Sequence, residues 1–72
     1  MKIFVKEVLP GNHTKNVSVL ISEHITQVGD YLQILINNDK VYDCQVCSVH
    51  RCYYWDSEPE MLSSVVLKVR KI

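Results

Sequence analysis

Apolar and polar residues alternate with a period of two along three stretches of this chain. In residues 16–22, Val17, Val19 and Ile21 alternate with Ser18, Leu20 and Ser22. In residues 31–37, Leu32, Ile34 and Ile36 alternate with Tyr31, Gln33, Leu35 and Asn37. In residues 63–71, Val65, Leu67 and Val69 face one way and Val66, Lys68 and Arg70 the other. Side chains on a strand alternate between its faces, so each stretch predicts a half-buried β-strand whose first-named set lines the core. Residues 2–9 are also rich in strand formers. Their Phe4, Val8 and Leu9 break the alternation and predict a bulge or a strand covered on both faces. Residues 41–52 form a further strand, with Cys44 and Val46 as small core residues.

The turn residues divide the chain to match. Pro10-Gly11-Asn12 ends the first strand, and the polar stretch through Lys15 predicts a loop of about six residues. Val28-Gly29-Asp30 leads into the third strand. Asn37-Asn38-Asp39 predicts a tight turn, because Asn and Asp tolerate left-handed backbone. Residues 56–60 read as a solvated loop, and residues 22–27 as a short helical turn or an irregular connection. Five short strands would expose costly edges unless the sheet curls, and closure into a barrel removes most of them. The expected fold is a single all-β domain over residues 1–72, a small five-stranded antiparallel barrel with short turns.

Three segments then carry a resemblance: QVGDYLQI, KVYDCQVCSVHR and SVVLKVRKI. A Gly-Asp turn opens a strand, a tyrosine-led strand follows a tight turn, and an alternating strand closes the chain. Over about residues 27–72 this pattern resembles the small SH3-like β-barrel proteins encoded by bacteria and phages. The resemblance implies a fold and a partner-binding way of life rather than a particular activity.

Composition narrows the functions. With 47% apolar and 22% charged residues among 72, the chain is built to fold, and no apolar run reaches the ~20 residues of a membrane span. The start MKIFVKEVL lacks the long apolar core of a signal peptide, which points to the cytoplasm. Three cysteines, Cys44, Cys47 and Cys52, are an odd number, suited to a reducing compartment. Eight basic and eight acidic side chains cancel, whereas general nucleic-acid binders carry a positive excess.

The densest chemistry is CQVCSVHRC, residues 44–52. Cys44, Cys47, His50 and Cys52 are potential metal ligands, and Cys44-x-x-Cys47 has the length of half a zinc site. On an extended strand, however, Cys44 and Cys47 point to opposite faces. His50 and Cys52 share a face with Cys44 but lie about 20–27 Å along it. A bulge near Val46-Cys47 would bring two of the four together, hardly all four. No metal and no cofactor is therefore expected: Cys44 reads as a small core residue, and Cys47 or Cys52 as filling a gap. His50 and Cys52 could touch, with Asp43, Asp56 or Glu58 as orienting carboxylates, but so small a barrel offers little cleft for catalysis.

Two surfaces remain. Arg51, Tyr53, Tyr54 and Trp55 combine residue types that dominate binding hot spots, and Tyr42 is expected to join them across the turn. At least one of these aromatics, Trp55 foremost, is expected to cap the core. If first and last strands are neighbours, Lys2, Lys6, Lys68 and Arg70 form a basic stripe, joined by Lys71. Such a stripe either guards an edge against aggregation or holds single-stranded nucleic acid. Leu20, Leu35, Val49 and Val66 lie out of phase with the core stripes and would suit a homodimer. The favoured expectation is a non-enzymatic accessory protein that docks on another macromolecule, a protein partner first, and could block it. The alternatives are a single-stranded nucleic-acid or nucleotide binder and, third, a small zinc protein.

Overall fold

A computed structural model describes residues 1–22, 24–36, 40–55 and 58–72. The strands are β1 (Lys2–Leu9), β2 (His13–Ile21), β3 (Tyr31–Ile36), β4 (Lys40–Tyr53) and β5 (Leu62–Lys71). They form one sheet in the order β2-β1-β5-β4-β3, strongly curled into a half-barrel. Among the described residues there is no helix, and hence none long and apolar enough to cross a membrane. The all-β, five-stranded expectation holds. The antiparallel one is corrected: β1 and β5 pair in parallel, from Lys2 beside Ser64 to Glu7 beside Val69.

This topology arises from how two hairpin units meet. β1 and β2 make one antiparallel hairpin, and β3, β4 and β5 make an antiparallel meander. Connected by residues 22–30, the units dock through their inner strands β1 and β5, which run the same way. Closure is also less complete than expected, since β2 and β3 remain the two edges. The 22–30 connection spans from one edge to the other at the end where β2 finishes and β3 begins. Its Ile25 packs against the core, and Gly29 and Asp30 exchange backbone bonds with Val46 of β4 (2.9 Å each). The described part of this connection thus packs at one end of the half-barrel, and a cavity opens at the other.

The core lies on the concave face. Ile3 and Val5 of β1, Ile34 of β3, Tyr42, Cys44 and Val46 of β4, and Val65, Leu67 and Val69 of β5 are buried. These are the stripes that alternation predicts for β3 and β5. On β2 the phase is inverted. Val19 and Ile21 are 55% and 84% exposed, whereas Leu20 pairs with the buried Ile3 and packs inward. The cause is a bulge. Val5 faces Ser18 and Lys6 faces Asn16, so Val17 is an extra residue on β2 and every neighbour beyond it changes face.

Bulges shape β4 as well. Its register shifts at Cys47, which lies between Val46 facing Val69 and Ser48 facing Lys68. Val49 is thereby turned toward the core opposite Leu67, so neither it nor Leu20 belongs to an outer dimer face. Leu35 and Val66 do lie on the outer face. The first loop is shorter than expected: Leu9 already pairs with His13, so the turn is Pro10-Gly11-Asn12. Gly11 (φ 79°) and Asn12 (φ 62°) supply the two left-handed residues that a tight hairpin needs. Residues 22–27 are irregular where described. The predicted Asn37-Asn38-Asp39 turn, and Asp56-Ser57 of the acidic loop, lie outside the described residues.

Candidate binding site at the β4–β5 tip

β4 is the longest strand, and its two halves have different neighbours. Residues 40–45 pair with β3, and of these Cys44 and Gln45 pair with β5 as well, while residues 48–53 pair with β5 alone. β3 begins opposite Gln45 and β1 opposite Ser64, so this end of the β4–β5 ribbon has no β3 neighbour, and its last pair, Tyr53 with Leu62, lies past β1 as well. A second bulge, between Cys52 and Tyr53, twists this ribbon, and Ser63 Oγ donates to the Cys52 carbonyl across it (2.9 Å). Beyond the last strand pair, the Tyr54 amide donates to the Met61 carbonyl (2.9 Å), which closes the base of the acidic loop.

The predicted site residues gather on this tip. Arg51 stands opposite Val65 and Tyr53 opposite Leu62, both partners belonging to the core side. Tyr53, Tyr54 and Trp55 are 50%, 59% and 92% exposed, and Met61 is exposed beside them. The expectation that Trp55 caps the core is thus corrected. The ribbon carries it beyond the last buried residue, leaving nothing for it to cover. Tyr42 does not join the group either. It sits near the other end of β4, about 35 Å away at strand rise, and is buried in the core.

The basic set is partly assembled. Lys6 and Lys68 are parallel register partners, and Arg70 lies two residues further along the same outer face. Lys2 lies opposite Ser64, about 13 Å from Lys6 along β1. Phe4 and Val66, paired and half-buried, sit between them. From Lys68 to Leu62 the strand runs about 20 Å, so the stripe and the aromatic tip are separate surfaces.

The cysteine set is dispersed by the Cys47 bulge. Cys44 is fully buried at the core, and burial first, then the nearby Asp43, Cys47 and Glu7, pushes its thiol pKa up. Such a thiol is an inert core group rather than a ready thiolate. Past the bulge, His50 and Cys52 face Val66 and Ser64 on the outer side, so the expectation that they share a face with Cys44 is corrected. Among the described residues no three His, Cys, Asp or Glu side chains are placed to hold a metal ion.

Sequence reasoning misses one group of residues. At the open end, Glu7, Lys15, Asn16, Val17, Ile36, Lys40, Val41, Tyr42 and Lys71 line a cavity of about 240 Å³. The Tyr42 hydroxyl donates to Glu7 Oε1 across the interior, and Lys71 Nζ lies 6.0 Å from the Tyr42 ring centre. Burial, reinforced by the bond to Glu7 and its charge, pushes the Tyr42 pKa far above the ordinary tyrosine value. The one signal in the sequence is Glu7, an acid on the core-facing phase of β1, which demands a partner inside. Comparison with protein-family models, with curated proteins and with solved structures finds no match to the chain.

Proposed function

We propose that this chain is a non-enzymatic binding module that docks on a protein partner through Arg51, Tyr53, Tyr54 and Trp55. The observation that carries the reading is the exposure of three consecutive aromatics, Trp55 at 92%, at and just past the end of β4. Exposed aromatics grouped with an arginine bury large area at low entropic cost when a partner covers them. A second copy of the chain is one form such a partner could take. The SH3-like resemblance supports the same reading, with the parallel β1–β5 pair as a departure from the expected pattern. Free cysteines fit work in the cytoplasm of a bacterium, for a native or a phage-encoded chain. The reading invokes no cofactor.

The test is differential capture from bacterial lysate. A protein retained by the wild type and by Lys68→Glu/Arg70→Glu, but lost with Tyr53→Ala/Trp55→Ala, supports docking through the tip. Equal retention by the tip variant refutes it. The juxtaposed Lys6, Lys68 and Arg70 favour a second reading, single-stranded nucleic-acid binding. Affinity for oligonucleotides that falls steeply with salt and vanishes in Lys68→Glu/Arg70→Glu would establish that one instead.

A further inference from the structure

The structure points to a second site, independent of the tip: we propose that the open mouth of the half-barrel binds a small phosphate monoester. The mouth exists because the barrel does not close. β2 and β3 are both edges, and at this end the cavity is lined by Lys15, Asn16 and Val17 from one edge and by Ile36 from the other. Lys40 and Lys71, at the start of β4 and the end of β5, complete the rim.

Charge defines the ligand. Of the described residues lining the cavity, three are lysines and one, Glu7, is acidic. The lysines come from β2, β4 and β5, far apart in sequence, and all three line this one cavity. Three positive charges against one negative leave two, the charge a phosphate monoester carries when fully ionised. Glu7 does not compete for the lysines on equal terms, because its Oε1 is engaged by the Tyr42 hydroxyl. Lysines that only guarded edges would be spread along β2 and β3, whereas these surround a cavity.

Shape defines the rest. The walls are Val17, Ile36, Val41 and the Tyr42 ring, so an apolar body belongs beside the phosphate. An enclosed cavity of about 150 Å³ holds benzene, so about 240 Å³ has room for one ring and a phosphate group. Asn16 adds a neutral donor at the rim.

Phenyl phosphate, inorganic phosphate and phenol are the probes, titrated into ¹⁵N-labelled protein and followed by amide chemical shifts. Saturable shifts are expected at residues 15–17, 36, 40–42 and 71. Phenyl phosphate should bind more tightly than inorganic phosphate, and phenol should not saturate. Lys15→Gln and Lys71→Gln should each weaken phenyl phosphate about tenfold, the scale of one charge-assisted contact, while Lys68→Gln on the outer face should not. The inference is overturned by non-saturating shifts at the mouth in the wild type, or by shifts centred on Lys6, Lys68 and Arg70. It is equally overturned by unchanged affinity in folded Lys15→Gln and Lys71→Gln proteins. Should either variant fail to fold, the wild-type map alone decides.

Discussion

Replacing Trp55 with alanine separates a binding tip from a core cap, because the two readings differ by several kcal/mol. At 92% exposure, 8% of the residue's surface is covered. On a side chain of about 250 Å², that is about 20 Å², or about 0.5 kcal/mol of apolar burial. In a domain of this size such a loss lowers the melting midpoint by about 2–4 °C. Leu67, 1% exposed in the middle of β5, is the internal reference. Its truncation to alanine removes a buried isopropyl group and leaves a cavity, at about 2–5 kcal/mol. That approaches the whole stability expected of one small core, about 3–5 kcal/mol. Thermal melts followed by circular dichroism should therefore show Trp55→Ala within a few degrees of wild type. Leu67→Ala should be largely unfolded at room temperature. A Trp55→Ala midpoint depressed as far as that of Leu67→Ala would mean that the indole packs on the core, and the tip would lose its standing as a free surface.

Two further predictions concern the interior. Tyr42→Phe removes a donor to Glu7 inside the mouth and should cost about 1–2 kcal/mol in urea denaturation at neutral pH. Because the folded-state pKa of Tyr42 is raised, the unfolded chain loses the phenolic proton first. Wild-type stability should hold below the unfolded tyrosine value near 10 and decline above it. Tyr42→Phe should decline less steeply there, and parallel pH profiles would show that the phenol does not carry the effect. Thiol labelling of native protein should modify the exposed Cys52 first and the half-buried Cys47 more slowly. The buried Cys44 should react only on unfolding, and labelling of Cys44 at the Cys52 rate would contradict its place in the core.

Local pattern was enough for much of this protein. The period-two stripes of β3 and β5 are visible in residues 31–36 and 63–71, and they point inward as alternation requires. Gly11, Asn12 and Gly29 mark places where the backbone turns left-handed, and few other residues take that conformation. The site residues Arg51 to Trp55 were legible by type alone. Their exposure was not, since an aromatic caps a core or awaits a partner with the same side chain. Their place at and past the end of β4, beyond the last buried residues, decided it.

Tertiary structure decided the rest through register. The extra residues at Val17 and Cys47 each flip the face of the neighbouring strand positions, turning Leu20 and Val49 inward and Val19, Ile21, His50 and Cys52 outward. A bulge is set by pairing with a second strand, so the alternation of residues 16–22 alone does not locate the one at Val17. The parallel β1–β5 pair is likewise a choice made when two hairpin units dock, which neither unit encodes alone. The lysine-lined mouth is a product of that docking. Lys15, Lys40 and Lys71 line one cavity because the sheet curls without β2 and β3 pairing across the seam between them.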